Sequence, residues 1–321
     1  MNQVTEPQTL QVLGIDVAKA HLDVHLYPAG SSSRFANDDH GAAALLIWIS
    51  SYKVALAVVE ATGGIEVPIL LALNEANYSV ARVNPRWIKD FSRAAGTFAK
   101  TDQLDARLIA RYGHAMQPTP WEAPAPGAIE LKELCARRRQ LLQTWVMENN
   151  RRQQSSNAYL VRQHLRHIQF IEGQLKEVDR LLDRLIAANE EWRRKKEIIE
   201  SIPGVGSVTA KVLLADLPEL GQLNGKKIAA LVGVAPINRD SGKQVGYRGI
   251  AGGRGSIRRV LYMTAVGIAT RNNLHFRAQY NRLTASGKKS KVALVAVIRK
   301  LLVILNAMIR TDTVWKAPEP A

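Results

Sequence analysis

Apolar and polar positions along the first 120 residues follow two different periods in turn. Short alternating or continuous apolar runs predict strands at 10–18, 21–30, 54–62 and 78–85. Longer segments with helical spacing predict helices at 41–52, 65–77 and 97–116. Strands and helices that alternate in this way are typical of an α/β domain whose helices pack on a sheet.

The rest of the chain is predicted to be helical. A proline-rich segment, PTPWEAPAPG at 118–127, marks the boundary. Beyond it, apolar residues recur every three or four positions at Leu165, Ile168, Ile171, Leu175, Val178, Leu182 and Leu185. This seam predicts a long antiparallel arm or a contact between subunits. We therefore expect three domains, at 1–125, 126–196 and 197–321.

The composition restricts the class of protein. A hydrophobic content of 46% is typical of a globular chain, and one cysteine, Cys135, excludes an internal disulfide framework. The amino terminus has no signal-peptide pattern, and the apolar run at 292–298 is too short to span a membrane. We expect a cytoplasmic protein without a membrane segment.

Positive charge is concentrated in the second part of the chain. Residues 1–125 carry 10 basic and 12 acidic side chains, whereas residues 126–321 carry 34 and 16, a net charge of +18. Between 221 and 311 there are 17 basic residues and one acid, Asp240. A solvated basic surface normally has acids interspersed, so this excess favours nucleic-acid binding.

Four acids of the first domain lie where a site can form. Asp16 follows the core of the first strand, and Glu60 lies at the end of an apolar strand, where sites form in parallel sheets. Asp102 and Asp105 are three residues apart at a helix start and therefore share a face. Asp16 could be a turn residue, Asp102 a helix-start residue and Asp105 a solvated one. Glu60 is harder to explain, because an acid that ends a buried strand is costly unless paired or bound to metal.

Together the four carboxylates suggest a metal site. Two like charges about 4 Å apart repel by about 4 kcal/mol at an effective dielectric constant of 20, so a carboxylate cluster needs cations or protons. Oxygen ligands without nearby cysteine or histidine favour Mg²⁺ or Mn²⁺ over Zn²⁺. Such ions assist the displacement reactions of phosphodiesters, which makes Asp16, Glu60, Asp102 and Asp105 candidate catalytic residues.

The basic third domain contains a glycine turn and a glycine-rich loop. SIPGVG at 201–206 is typical of a helix-hairpin-helix, whose backbone near Gly204 and Gly206 binds phosphate, or of an ordinary helical turn. Ser256 is expected to cap a helix, and Ser241, in Asp-Ser-Gly, is by itself slightly better explained as a turn serine. Candidates for phosphate contact are Arg239, Lys243, Arg248, Arg254, Arg258, Arg259, Lys288, Lys289 and Lys291.

The acidic arrangement resembles the RNase H-like, RuvC-type nuclease fold. Over nearly its full length the chain is similar to a narrower group, the insertion-sequence-one-ten family of DEDD transposases, regarded as bridge-RNA-guided recombinases. The matching stretches follow the order of the family: GIDVAK, VVEATG, VNP, KTDQLDAR, WEAP, SIPGVG, AALVGVAPINRDSG, RGSIRRVLYM and GKKSKV. The resemblance implies an α/β RNase H-like (RuvC-like) amino-terminal domain, a helical coiled-coil arm and a mostly α carboxyl-terminal transposase domain with a helix-hairpin-helix element.

The resemblance also implies an activity. Ser241 matches the family's nucleophile, which forms a phosphoserine link to DNA beside a Mg²⁺-dependent acidic site. Further implications are donor and target DNA as substrates, a guide RNA from the non-coding end of the mobile element, a dimer or tetramer, and a nucleoid-associated location in a bacterium. Two alternatives remain open: a metal-dependent junction nuclease that uses water, and a non-catalytic nucleic-acid-binding protein.

Overall fold

The computed structural model describes residues 10–96, 102–237 and 249–317. The chain divides into two compact units, Met1–Pro124 and Ala125–Ala321, and the division falls in the proline-rich segment. Each unit has its own hydrophobic core.

A five-stranded mixed sheet forms the centre of the first unit. Its strands are β1 (Gln11–Val17), β2 (His21–Tyr27), β3 (Ser32–Ala36), β4 (Val54–Glu60) and β5 (Val80–Val83). Their order across the sheet is β3-β2-β1-β4-β5, in which β1, β4 and β5 are parallel and β2 is antiparallel to both neighbours. This sheet is consistent with the predicted RNase H-like domain. Four of the strands were predicted, whereas β3 was missed because its sequence SSRFA is short and largely polar.

Helices cover both faces of this sheet. They are α1 (Asp39–Ile49), α2 (Val67–Glu75), α3 (Pro85–Ala94) and α4 (Asp102–Met116). Residues of α1 and α2, such as Leu45 and Leu70, are buried against one face. Residues of α3 and α4, such as Ile88 and Ile109, are buried against the other. Helix α3 was not predicted, although Asn84 caps it and Pro85 occupies its first position.

The second unit is almost entirely helical. Its helices are α5 (Ala128–Gln154), α6 (Ala158–Ala188), α7 (Glu190–Glu200), α8 (Ser207–Asp216), α9 (Gly225–Val232), α10 (Gly255–Gly267), α11 (Leu274–Ala285) and α12 (Ser290–Arg310). A π-helical segment, Ile268–Asn272, follows α10, and two short strands, β6 (Pro236–Ile237) and β7 (Gly249–Ile250), pair antiparallel. The predicted domain boundary after residue 196 lies within α7, and the separation of this unit into two domains stays a prediction.

The long helices α5 and α6 pack on each other in opposite directions. Side-chain contacts join Arg138 to Asp179, Trp145 to Glu172, and Glu148 to His164. Residues later in α5 therefore contact residues earlier in α6, as expected for antiparallel helices. Most residues of the predicted seam, including Ile171, Val178 and Leu182, are buried in this pair, while Leu165 is exposed. The seam therefore packs within the unit, and its action as an extended arm stays a prediction.

Helix α12 is the core helix of the remaining part of this unit. By length and composition alone it is apolar enough to cross a membrane, but half of its most apolar window is buried inside the unit. Val297, Ile298, Leu301 and Leu305 on this helix are fully buried among residues of α7 to α11. Its apolar character is therefore explained by packing, and it gives only weak support for a membrane span.

Candidate acidic site and basic surfaces

Asp16 and Glu60 lie at the carboxyl ends of neighbouring parallel strands. Asp16 is the penultimate residue of β1, and Glu60 is the last residue of β4. Because Ile15 pairs with Val59, the next residues, Asp16 and Glu60, are level with each other across the sheet. Both side chains are partly exposed.

Helix α4 passes very close to the same two strands. A Cβ atom on Gly14 of β1 would lie 2.2 Å from the carbonyl oxygen of Ala106 and 2.4 Å from the nitrogen of Ala110, so a side chain is excluded there. Further along α4, a Cβ atom on Gly113 would lie 2.5 Å from Val58 and 2.8 Å from Val12. The helix therefore runs opposite to β1, and its first turns lie towards the carboxyl ends of the strands.

The two strand acids face the side of the sheet that α4 covers. Val12 of β1 and Val58 of β4 are buried together with residues of α4, and side chains alternate between the faces of a strand. Asp16 and Glu60, four and two residues further along, therefore point to the same face. Asp105 immediately precedes Ala106, the residue that meets Gly14, so it lies on α4 near the same edge.

The carboxylates near this edge are suitable ligands for a divalent metal ion, but the described side chains do not form a metal-binding cluster. Within the described side chains there is no group of three or more histidine, cysteine, aspartate or glutamate residues that could hold an ion. The side chain of Asp102 lies outside the described residues, although its backbone begins α4 one turn before Asp105. Carboxylate oxygens such as those of Asp16, Glu60 and Asp105 are the donors that Mg²⁺ and Mn²⁺ prefer.

An ion pair between a buried aspartate and a half-exposed arginine lies beside Asp16, and the sequence did not predict it. Asp23 on β2 is the cross-strand partner of Asp16 and is only 3% exposed. Arg34 on β3 donates two hydrogen bonds to the Asp23 carboxylate, at 2.7 and 2.8 Å, and His21 lies 3.3 Å from it. The available signal was the alternation in HLDVHLY, which puts His21, Asp23 and His25 on one face of the strand.

A second buried acid supports the loop that follows Glu60. Glu66 is fully buried, accepts a 2.7 Å hydrogen bond from the Gly64 backbone N–H and forms an ion pair with Arg82 of β5. Burial alone would raise the pKa of Glu66, but backbone N–H groups and the Arg82 guanidinium together hold this pKa below its usual value. The Glu66 carboxylate is therefore charged and stabilises the fold. The sequence feature that could have predicted its burial is the position of an acid inside the apolar segment IEVPILL.

Several predicted residues of the second unit lie outside the described residues. These are Ser241, Arg239, Lys243 and Arg248. Of the others, Arg259, Lys288, Lys289 and Lys291 are exposed. Arg258 donates hydrogen bonds to the carbonyl oxygens of Gly233 and Gly252. Arg254 forms an ion pair with the Glu219 carboxylate and donates a hydrogen bond to the Asp216 carbonyl oxygen. Its guanidinium therefore stabilises the fold of this unit.

The turn between α7 and α8 contains one glycine in the left-handed conformation. Gly204 has φ +92°, a conformation that favours glycine, and Gly206 is the N-cap of α8 without a side-chain hydrogen bond. The helix-hairpin-helix assignment stays a prediction. The expectation that Ser256 caps a helix is wrong: α10 begins at Gly255 and its N-cap is Arg254.

Trp87, Trp145 and Trp192 differ in burial, although the sequence predicts each of them to be a packing residue rather than a base-stacking one, and for Trp87 this prediction is wrong. Trp192 is buried, and Trp145 packs against the core of the second unit while its Nε1 donates to Glu172. Trp87, at the start of α3, is 55% exposed. It lines an open cleft beside the strand ends that carry Glu60.

Two family descriptions match this chain. One, described as a transposase and named for a DEDD transposase of insertion element IS110, matches residues 13–160. The other, described as the transposase IS116/IS110/IS902 family, matches residues 196–281. The first match includes Asp16, Glu60, Asp102 and Asp105, and the second includes Ser241.

Curated proteins similar to this chain carry related names. A pilin gene-inverting protein of Moraxella bovis is 27% identical over 309 residues, which cover 94% of this chain and 96% of that protein. The protein of the same name from Moraxella lacunata shows the same identity and coverage. An uncharacterized protein of insertion element IS110 from Streptomyces coelicolor is 29% identical over 144 residues, 44% of this chain and 35% of that protein.

Proposed function

Since this chain belongs to the IS110 family of transposases and is a DNA transposase/recombinase, we propose that it exchanges DNA strands through a phosphoserine intermediate. In this proposal Ser241 is the nucleophile, and Asp16, Glu60, Asp102 and Asp105 form the acidic site that assists it. The observation that carries the acidic site is its geometry. Two acids are level at the ends of β1 and β4, and the start of α4 lies towards the same edge.

The four carboxylates are the proposed ligands of Mg²⁺ or Mn²⁺. When bound, such an ion neutralises charge on the phosphate and on the departing oxygen. The chain's own contribution is to hold the carboxylates in place. The contact of Gly14 with α4 sets the position of Asp105, and the Asp23–Arg34 pair supports the strand beside Asp16.

The proposed reaction has two balanced transfers. In the first, the Ser241 hydroxyl oxygen attacks the phosphorus, its proton passes to a base, and the bond from phosphorus to one DNA oxygen breaks. That DNA end leaves with a hydroxyl group. In the second, a hydroxyl of another DNA end attacks the phosphoserine, and Ser241 recovers its proton. A serine hydroxyl needs such activation because it is a weak nucleophile at neutral pH.

The proposal includes several partners. The name of the Moraxella relatives indicates that they invert a gene, and we propose strand exchange of the same general kind between donor and target DNA here. A guide RNA and a dimeric or tetrameric assembly complete the proposal. The net charge of +18 on residues 126–321 supports contact with polyanions, through Arg259, Lys288, Lys289 and Lys291 and through the backbone near Gly204 and Gly206.

A denaturing gel tests this proposal. Full-length protein is incubated with labelled DNA from the junction of the element, Mg²⁺ and the flanking transcript, in parallel with the Ser241→Ala and Asp102→Ala variants. We expect a labelled band at protein size for the unmodified protein and none for either variant, because one lacks the nucleophile and the other a ligand of the acidic site. Omitting the transcript tests the guide.

The opposite result identifies a different enzyme. Cleaved DNA without a protein adduct, formed equally well by Ser241→Ala, would mean that water is the nucleophile. The protein would then act as a metal-dependent junction nuclease. Exchange of Mg²⁺ for Ca²⁺ provides a control in which DNA binding is retained while the chemistry is expected to stop.

A further inference from the structure

An open cleft of about 280 Å³ lies next to the acidic edge of the sheet. It is lined by the residue after Glu60, by the end of β5 and by the start of α3, at Ala61, Arg82, Val83, Asn84, Pro85 and Trp87. Ala61 donates a 2.9 Å backbone hydrogen bond to Val83, which joins the two strand ends under the cleft. Drug-sized ligands occupy pockets of roughly 300–1,000 Å³, so this cleft has room for a smaller group such as one nucleobase.

Trp87 presents a large aromatic surface in this cleft. Its side chain is 55% exposed, although tryptophan is on average a highly buried residue. Its backbone is held firmly: Trp87 N–H donates to the Asn84 carbonyl, and the Asn84 side chain accepts from Arg86 N–H at 2.9 Å. Proline at the first helical position restricts the backbone further. The indole is therefore carried on a rigid support at the surface.

Basic side chains lie in this cleft and on the helix that carries Trp87. Arg82 forms one wall of the cleft and is held by the buried Glu66. Arg86, Lys89 and Arg93 on α3 are exposed, and Arg93 forms an ion pair at 3.7 Å with Asp90, which lies one helical turn after Trp87. Because Glu66 neutralises Arg82 and Asp90 neutralises Arg93, the excess positive charge of this helix comes from Arg86, next to Trp87, and from Lys89. This excess lies in the part of the chain whose net charge is −2, and it favours a phosphate backbone near the indole.

We propose that the Trp87 cleft binds one nucleobase of the DNA substrate, stacked on the indole, within one or two nucleotides of the phosphate that is cleaved. The proposal rests on the proposed function, since the cleft is placed near the cleaved phosphate only if Glu60 belongs to the acidic site. Ala61 of the cleft wall directly follows Glu60 in the chain. Aromatic surfaces stack on any base and therefore hold a single strand without reading its sequence. Trp87 would thus position the strand, while Ser241 and the acids act on it.

Photo-crosslinking tests this contact without any catalysis. Ser241→Ala protein with Ca²⁺ is bound to junction DNA, with the transcript added, in which 5-iodouracil replaces one base at a time. We expect ultraviolet light to crosslink Trp87 from one or two adjacent positions, identified by mass spectrometry of the peptides. Crosslinks confined to other residues, or none at any position, would overturn the proposal. Failure of the phosphoserine adduct on the gel would instead count against the proposed function alone.

Affinity measurements give a second test on the same complexes. Stacking contributes about 1–3 kcal/mol per base, so Trp87→Ala is expected to weaken DNA binding about 5- to 150-fold, while Trp87→Phe retains most of it. An abasic nucleotide at the crosslinked position should weaken binding to the same extent and add nothing to Trp87→Ala. Independent, multiplying effects would contradict stacking at this position.

A matched control separates stacking from a general surface effect. Ile47 on α1 is 75% exposed, and α1 covers the opposite face of the sheet. Ile47→Ala should leave both affinity and crosslinking unchanged. If Trp87→Ala instead changes the oligomeric state in light scattering and leaves the DNA affinity unchanged, Trp87 is a contact between copies of the chain and the proposal fails.

Discussion

At the residue scale, Gly14 decides how closely helix α4 can approach strand β1. The backbone oxygen of Ala106 and the nitrogen of Ala110 occupy the space that a side chain would need. The local sequence VLGID shows a glycine in a strand but not the helix against it, because that helix begins almost ninety residues later.

Replacement of Gly14 by alanine should therefore displace α4. We expect Gly14→Ala to lower the free energy of unfolding by about 1–3 kcal/mol and to reduce DNA cleavage strongly, because Asp105 moves with the helix. Gly173 on α6 is the control: no atom lies within 4 Å of its added Cβ, so Gly173→Ala should stabilise the helix by about 0.5–1 kcal/mol. Urea denaturation and the adduct gel measure both effects, and a fully active, stable Gly14→Ala protein would contradict the close approach.

Cys135 provides a pH-dependent prediction in the second unit. Burial, with a smaller contribution from Asp216, raises the pKa of the thiol to about 11. At pH 8 the native protein should react with iodoacetamide about one hundredfold more slowly than in urea, because the thiolate is the reactive form. Rapid labelling of the native protein would show that the thiol is accessible.

The same shift affects stability at alkaline pH. The native state holds the thiol proton more tightly than the unfolded chain, whose pKa is near 9.0. The contribution to stability is complete below that value and is lost as the pH rises towards 11. Cys135→Ser has no such thiol and should lose less stability over this interval.

At the element scale, a buried lysine joins helix α8 to helix α6. Lys211 is 4% exposed, and its ammonium group lies 3.1 Å from Asp179 and 3.0 Å from Asp183. Arg138 of α5 also binds Asp179, so charged contacts link three helices. The sequence showed the three helices but not these contacts, which join residues 28 to 41 positions apart.

Loss of this lysine should weaken the junction. Lys211→Ala is expected to cost about 2 kcal/mol, less than the roughly 3–5 kcal/mol of a fully buried pair, because the two aspartates remain partly exposed. Lys195 on α7 pairs with Glu191 at the surface, and Lys195→Ala should cost less than about 1 kcal/mol. Equal effects of the two substitutions in urea denaturation would show that burial of Lys211 contributes nothing.

At the scale of the whole molecule, charge separates the two parts of the chain. Residues 126–321 carry a net charge of +18, and Lys288, Lys289 and Lys291 are exposed around the start of α12. Acidic partners already neutralise other lysines, such as Lys195 and Lys196 on α7. The first group is therefore available to phosphates and the second is not.

Salt dependence of DNA binding distinguishes these two groups. Replacing Lys288, Lys289 and Lys291 by glutamine should weaken binding to all sequences, and the slope of log K against log salt should fall by about 0.9 for each phosphate that the protein no longer neutralises. The Lys195→Gln, Lys196→Gln double variant should bind as the unmodified protein does. An unchanged slope in the triple variant would remove these lysines from the interface.

Local pattern was sufficient for much of this protein. The alternation in β2, the apolar run in β4 and the spacing in α6 predicted those elements because period and burial are visible within one segment. The concentration of basic residues, likewise visible without a structure, predicted a nucleic-acid partner. The order of strands and helices along the sequence also predicted that Asp16 and Glu60 lie at or near the carboxyl ends of strands.

Tertiary structure decided what depends on contacts between distant segments. It alone showed that Asp23 is neutralised by Arg34, that Arg254 forms an ion pair with Glu219, and that Trp87 is exposed beside the acidic edge of the sheet. From the sequence alone, Asp23 is an acid in a predicted strand, Arg254 is a candidate for phosphate contact, and Trp87 is one of several tryptophans. The type of a residue sets what it can do, but its neighbours in space determine which groups remain available, and those neighbours come from other elements of the fold.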